Sequence, residues 1–289
     1  MKGIILAGGS ATRLRPASLG VSKQLMPVYD KPLVYYPLTT LMLSGIREIL
    51  LISTPSDLPQ FKRLFSNSNE WGIQIQFAEQ PTPGGIAEAL LIGEAFINNE
   101  PVALILGDNL FHGIGLGRQL QESINAPGAL IAAYHVSDPR AFGVVEFDEN
   151  GLAFSLEEKP QVPKSSWVVP GIYFYDKTAV ERTKKLSRSA RGELEITDLN
   201  KSYMADLLLR VKTFKRGTTW LDMGTPNSLL EAAQFIQVIQ DRQGLLVGSP
   251  EEAAWRAGWI TNEKLSQLAK EYGATNYGQF LARLPLEEK

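Results

Sequence analysis

The sequence predicts an α/β protein built on a twisted, mostly parallel sheet with helices on both faces. Three observations carry this. Short apolar runs at Ile4–Leu6, Glu48–Ser53 and Val102–Asn109 have the length and composition of buried parallel strands. Segments with helical spacing lie between them, at Leu33–Ile46, Ser56–Phe65 and Pro81–Phe96. The first run breaks into Gly8-Gly9 and the third into Gly107-Asp108. Strands that alternate with helices in this order form parallel sheets, and such sheets bind ligands at the carboxyl ends of their strands.

Ile4, Ile5 and Leu6 stop abruptly at Ala7, Gly8 and Gly9, as a buried strand does when it enters a tight loop. Glycine lets the backbone approach a ligand and leaves N–H groups free to face anionic oxygens. Arg13, Arg15 and Lys23 follow as isolated cations, a pattern that suits a phosphate chain. Taken alone, the loop reads equally well as a plain turn with solvated arginines. It lacks the G-x-G-x-x-G spacing and the G-K-[ST] ending of the common nucleotide fingerprints. In Leu33–Ile46 the apolar positions keep helical spacing, and Pro37 kinks the helix or marks its first turn. Ile73–Phe77 alternates like a strand, and Pro81–Phe96 reads as a proline-glycine turn entering a helix.

The second half predicts strands at Ala129–His135, Gly143–Phe147, Ala153–Glu158 and Val168–Tyr175. Asp148–Gly151 reads as a hairpin turn. Helices are expected over Lys177–Leu186, Glu195–Leu207 and Asn227–Gln240, with short polar-surfaced helices at the end. There is no internal repeat or clear linker. The expected organisation is a core over residues 1–241 and a helical segment over 242–289.

Composition narrows the function classes. The 289 residues are 44% hydrophobic, which is ordinary for a globular protein. A net charge of −2 gives no electrostatic case for nucleic acid or an anionic membrane. The absence of cysteine excludes disulfides, thiol nucleophiles and cysteine-rich zinc sites, and fits a cytoplasmic setting. His112 and His135 are the only histidines, too few for a histidine metal cage. The N-terminus reads as a strand rather than a signal peptide, and no apolar run approaches the ~18 residues of a spanning helix.

Asp108, in LGDNLF, and Asp222, in WLDMGT, each sit where an apolar run opens to solvent. Carboxylates so placed either cap a turn or ligate a hard cation such as Mg²⁺, which takes one or two of them plus substrate phosphates. Glu157–Pro160, EEKP, is a charged turn after a strand, and Arg191 precedes a helix. Gln24 and Gln80 offer amides that can donate to and accept from a base edge, or simply face solvent.

Together these stretches are more specific than any one of them. GGSATRLRP followed by SKQLMPVYDKP resembles the opening of the sugar-1-phosphate nucleotidylyltransferases, approximately GG-x-G-T-R-L-x-P and then K-P. SKQLMPVYDKP and RGELEITDLN look like the glucose-1-phosphate thymidylyltransferase branch, and the likeness spans nearly the whole chain. It implies a Rossmann-like sheet of the nucleotide-diphospho-sugar transferase type, with inserted sugar-binding strands and C-terminal helices. The implied reaction joins dTTP and glucose 1-phosphate to give dTDP-glucose and pyrophosphate, on the way to deoxysugars such as rhamnose.

The resemblance also implies roles. Gly8, Gly9, Arg13, Lys23, Gln24, Gln80 and Gly85 would hold the nucleotide, with Arg13 and Lys23 on its phosphates. Gly143, Glu158, Lys159, Gly171, Tyr173 and Arg191 would hold the sugar phosphate, with Lys159 and Arg191 as its clamps. Arg13, Lys23 and Lys159 would be the catalytic cations, and Asp108 and Asp222 would hold Mg²⁺. The C-terminal segment would help form a homotetramer and a second site, where dTDP-sugars inhibit. The sequence departs from the family pattern at Ala11, a glycine position, where alanine is strained if φ is positive. Further departures are Gly84 for aspartate, Glu88 for glutamine, Phe142 for tyrosine and Met223 for threonine. A regulatory subunit without turnover rests on Ala11, Gly84 and Met223. A uridylyltransferase of the same fold is a nearer alternative, and a Rossmann dehydrogenase lacks its glycine fingerprint.

Overall fold

The computed structural model describes residues 1–9 and 11–287; the end of the expected C-terminal segment, residues 288–289, lies outside them. β1 (Lys2–Leu6) opens the sheet, and β2 (Pro27–Val28) with β3 (Lys31–Pro32) makes a small antiparallel ribbon before α1 (Tyr35–Leu43). There follow β4 (Glu48–Ser53), α2 (Leu58–Leu64), β5 (Gln74–Glu79), α3 (Glu88–Ile92), α4 (Glu94–Ile97) and β6 (Val102–Leu106). Strands β5, β4, β1 and β6 lie side by side and all run parallel.

Register decides where the site falls. Leu6 is level with Ile52 on one side and Leu106 on the other, so β1, β4 and β6 end together. The Gly8-Gly9 loop and Asp108 therefore emerge from one edge of the sheet. The N–H of Gly107 donates to the Leu6 carbonyl at 2.9 Å, and a Cβ on Gly107 would lie 2.9 Å from that oxygen. Only glycine lets the two chain ends approach this closely.

The inner parallel strands β1, β4 and β6 are apolar along most of their length because both faces are covered, whereas the edge strand β5 alternates and is partly exposed. Ile5, Ile49, Leu51, Ala103 and Ile105 pack with Leu38, Leu41 and Met42 of α1. Ile4, Leu50, Ile52 and Leu104 face Ala89 and Leu90 of α3. Pro37 lies in the first turn of α1, where its missing N–H costs nothing. The helix expected over Pro81–Phe96 is broken at Gly93, where a Cβ would lie 3.0 Å from Ile4 Cδ1.

The second half comprises β7 (Asn109–His112), α5 (Leu116–Gln121), β8 (Ala129–His135), β9 (Gly143–Phe147), β10 (Ala153–Glu158), β11 (Trp167–Val168) and β12 (Ile172–Tyr175). After these come α6 (Ala179–Lys184), α7 (Ile196–Ala205), β13 (Leu209–Thr213), β14 (Thr219–Asp222) and α8 (Pro226–Gln243). The chain closes with α9 (Pro250–Arg256), α10 (Asn262–Glu271) and α11 (Asn276–Glu287).

β12 enters the sheet antiparallel between β6 and β8, and β11, β9 and β10 extend it by antiparallel pairing. The single strand expected over Val168–Tyr175 is thus two strands. Pro170 has no N–H for a ladder, and its carbonyl accepts from Ile172 at 2.7 Å, which turns the chain. The strand expected over Val102–Asn109 likewise ends at Leu106, and Asn109 begins β7 in a separate ribbon with β14.

The C-terminal helices pack on their own chain. Ala253, Ala254 and Leu268 belong to the cluster that contains Ile5 and Leu38. Leu265, Tyr277, Phe280 and Leu281 are buried between α10 and α11, while Trp255, Trp259, Ile260 and Tyr272 are half-buried. Glu251, wholly buried, accepts from the hydroxyls of Tyr272, at 2.6 Å, and Tyr277. Buried Lys31 donates to the Val247 carbonyl at 2.9 Å and pairs with Asp30. A charge without such partners would be costly in this setting. Among the described residues no helix is long and apolar enough to cross a membrane.

Candidate active site

Two cavities open at the carboxyl edge of the parallel strands. The first, about 650 Å³, is lined by Gly8, Gly9, Ala11, Lys23, Gln80 and Gly85 among others. The second, about 530 Å³, is lined by Arg13, Asp108, Gly143, Glu158, Lys159, Gly171, Tyr173, Arg191 and Asp222. Ile86 and Glu193 line both, so the cavities adjoin.

In the first cavity Ala11 has φ 41 and ψ 39, the left-handed conformation that disfavours any side chain. Ser18 donates to the Ala11 carbonyl at 2.8 Å and helps hold it. Gly85 has φ +97, and a Cβ on it would come 2.3 Å from the Leu194 carbonyl oxygen. Leu194 donates to the Gly84 carbonyl at 2.8 Å and accepts from Ala87 at 3.2 Å. The RGELEIT stretch is thereby strapped across the loop that carries Gly85. Gln80 is buried, and its Nε2 donates to Glu88 Oε2 at 2.9 Å.

Gln24 is not among the residues lining either cavity. It is buried, and its Oε1 accepts from the Ser22 hydroxyl at 2.8 Å. A Cβ on Gly107 would lie 3.1 Å from Gln24 Cγ, so this side chain packs against the turn after β6.

Charged groups meet at the seam between the cavities. Lys23 forms an ion pair with Asp108 Oδ2. Asp222 lies opposite Asn109 in the β7–β14 ribbon, so the two aspartates are brought together by strand pairing. Burial, and next the Asp108 carboxylate, hold the Asp222 carboxyl above its ordinary value, against the pull of Lys23 and Arg13. Arg13 lies over Gly224, where a Cβ would come 3.0 Å from its Nη2. Asn109 Oδ1 accepts from Trp220 Nε1 at 2.6 Å and from the Gly171 N–H at 3.2 Å, which locks the ribbon to β12.

In the second cavity Glu158 Oε2 accepts from Thr197 Oγ1 at 2.7 Å, and its Oε1 lies 3.5 Å from Lys159 Nζ. Lys159 is left-handed, at φ 46, and over half of its side chain is exposed. Arg191 is tied to Glu195, at 2.9 Å, and to Glu193, at 3.3 Å. A Cβ on Gly143 would come 3.3 Å from Glu158, and one on Gly171 would collide with Leu106. Tyr173 is buried beside the site, and burial, then the Glu158 and Asp108 carboxylates, push its hydroxyl pKa up. Phe142 packs edge-on to Trp220 at 5.1 Å, and Met223 is wholly buried in an apolar cluster with Leu110 and Ile236. Both departures therefore serve packing.

Sequence reasoning did not single out Glu193, Thr197, Asn109 or Trp220. Their neighbours were noted, in RGELEIT, LGDN and WLD, but their roles depend on contacts between distant segments. Among the described residues no three or more His, Cys, Asp or Glu side chains cluster as a metal site. Asp108 and Asp222 offer two hard carboxylate oxygens, a set that fits Mg²⁺ when water and phosphate oxygens complete its shell. Their mutual repulsion is a second mark of a site suited to a cation.

A glycine loop, several cations and two aspartates over two adjoining cavities make a site suited to phosphate-bearing ligands. The chain belongs to the nucleotidyl transferase family, whose profile matches residues 2–238. A glucose-1-phosphate thymidylyltransferase of Mycolicibacterium smegmatis is 54% identical over 98% of this chain and 99% of its own length. One from Neisseria meningitidis is 55% identical, with the same coverage. A solved structure from Bacillus anthracis, provisionally named a glucose-1-phosphate thymidylyltransferase, superposes with TM-score 0.75 at 36% identity, covering 81% of this chain and 94% of that one.

Proposed function

We propose that this chain is a cytoplasmic enzyme that transfers the thymidylyl group of dTTP to α-D-glucose 1-phosphate, giving dTDP-glucose and pyrophosphate. The observation that carries this reading is the pair of adjoining cavities with Lys23, Asp108, Asp222 and Arg13 at their seam. The first cavity takes the nucleotide and the second the sugar phosphate. An oxygen of the sugar phosphate attacks the α-phosphorus, and the bond to the β-phosphate oxygen breaks in line. A phosphate monoester is already anionic at neutral pH, so the step needs no strong base. Catalysis then consists of alignment and charge stabilisation.

Lys159 and Arg191 hold the attacking phosphate, and Glu158 and Gly143 hold the sugar. Arg191 must release or share Glu195 to do so. Lys23 and the N–H groups of the Gly8-Gly9 loop hold the triphosphate, with Arg13 reaching it from the other side of the seam. Asp108 and Asp222 would hold Mg²⁺, which supplies positive charge to the phosphate oxygens. Incubation with both substrates, followed by pyrophosphate release and analysis of the nucleotide sugar, tests the reading. Release only with a different sugar phosphate or nucleotide would overturn it.

The same reading extends to regulation. A third cavity, about 230 Å³, lies between α1, α5 and α9 and is lined by Tyr36, His112, Gly115 and Val247 among others. At that volume it is too small for a whole nucleotide sugar and suits at most part of one, the rest lying in a subunit contact, and Leu230 and Val238 on the exposed side of α8 suit a contact in a homotetramer. Inhibition by a dTDP-deoxysugar would follow if the effector binds a less active state better. Light scattering and effector-binding stoichiometry test the two parts separately.

A further inference from the structure

Glu88 lines neither of the two substrate cavities. It nevertheless controls what the first one presents. Its Oε2 accepts from Gln80 Nε2 at 2.9 Å, and its Oε1 accepts from Arg188 Nη2 at 2.8 Å. Arg188 also donates to the carbonyls of Gly84, at 3.3 Å, and Gly192, at 2.8 Å. The second N–H of Gln80 faces the Gly85 carbonyl at 3.4 Å. Both donors of the Gln80 amide are therefore engaged by groups that can only accept.

An amide has two orientations, and its neighbours decide between them. A carboxylate opposite Nε2 fixes this one. The free end of Gln80 is then Oε1, the side-chain atom that faces Gly8 in the cavity wall. Room for this arrangement comes from Gly84. A Cβ on Gly84 would lie 1.9 Å from Glu88 Oε2, so the carboxylate fills the space that a side chain at position 84 would take. The two departures, Gly84 and Glu88, are one arrangement.

We propose that Glu88 is a positioning residue that locks Gln80 as a hydrogen-bond acceptor, and that this lock selects a base with a ring N–H. Thymine and uracil carry a donor at N3, whereas cytosine carries a lone pair there. The inference rests on the nucleotide reading of the first cavity. Glu88→Gln keeps the size of the side chain but can donate as well as accept, so the Gln80 amide is free to turn. A site that leaves a buried polar group facing its like loses affinity for that base.

The test uses the full-length chain and compares kcat/KM for dTTP and dCTP at fixed glucose 1-phosphate. In Glu88→Gln the dTTP-to-dCTP ratio should fall by about tenfold, mainly through a higher KM for dTTP, with the KM for glucose 1-phosphate little changed. Glu88→Ala should lower the ratio as well, and adding Gly84→Asp to Glu88→Ala should recover part of it, because the shortened side chain vacates the space that the new carboxylate takes. Calorimetry with dTDP and dCDP gives the same comparison for a variant too slow to assay. A ratio within about threefold of the parent in Glu88→Gln, or equal losses for both nucleotides, would overturn the inference. No recovery in the double variant would count against it too. A parent enzyme inactive with dTTP would instead overturn the reading of the cavity, and this inference with it.

Discussion

The backbone N–H of Met223 donates to the carbonyl oxygen of Asp108 at 3.1 Å. This one bond ties the end of β14 to the turn after β6. It sets Asp222 beside Asp108 although the two are far apart in the chain. Burial, and next the Asp108 carboxylate, raise the Asp222 carboxyl, and the pair of carboxylates attracts positive charge. Asp108→Asn and Asp222→Asn should each lower turnover by at least ~10²-fold, as expected for loss of a strong electrostatic stabiliser. Steady-state assays with both substrates check this, and near-normal turnover in either variant would remove that residue from the mechanism.

The raised Asp222 carboxyl also predicts a pH dependence. The folded protein binds this proton more tightly than the unfolded chain does, so the group destabilises the fold as pH rises from the ordinary carboxylate value through its folded value. The cost is fully present at neutral pH and vanishes below the ordinary value. Asp222→Asn should therefore melt higher than the parent at pH 7 without metal, and the gap should close in acid. Melting curves across that range would show no such gap if the raised value were absent.

Lys159 is one of two proposed phosphate clamps, and like Arg191 it has over half of its side chain exposed. Lys159→Ala should reduce kcat/KM for glucose 1-phosphate by about 10–100-fold, the worth of one charged hydrogen bond, with a smaller effect on the KM for dTTP. Loss of dTTP affinity with glucose 1-phosphate unaffected would place Lys159 elsewhere.

Gly85→Ala should destabilise the protein by about 2–4 kcal/mol, since the added methyl meets the Leu194 backbone and the φ is left-handed. Urea unfolding measures this. Ala11→Gly should do the opposite on a small scale. Relief of about 1–2 kcal/mol of left-handed strain outweighs about 0.4–1 kcal/mol of added freedom in the unfolded chain. A less stable Ala11→Gly would show that the loop is not strained at this position.

Much of the fold is legible in the sequence. Glu48–Ser53, Ala129–His135, Gly143–Phe147 and Ala153–Glu158 are strands with the expected ends. Each is a short run bounded by turn residues, so the signal is local. The glycine loop, the aspartates and the EEKP turn were legible for the same reason, as strand ends with unusual residues. β13 and the β7–β14 ribbon were not, because their pairing joins distant segments and leaves no periodic trace over four or five residues. The break inside Val168–Tyr175 follows from Pro170, a local signal masked by the apolar residues on either side of it.

The tail shows the same division. So much apolar surface in one segment had to be buried, but only packing decided that Leu268 meets α1 while Leu265, Tyr277, Phe280 and Leu281 meet one another within this chain. For the proposed base site, the sequence marked Gln80 and the departures at Gly84 and Glu88 as separate facts. Tertiary structure made them one, with Arg188, 100 positions away from Glu88, closing the set. Local residue pattern determined which groups stand at the sheet edge, because strand and turn propensity act over a few residues. Which atom of each group faces the cavity was decided by hydrogen bonds between segments that meet only when the chain has folded.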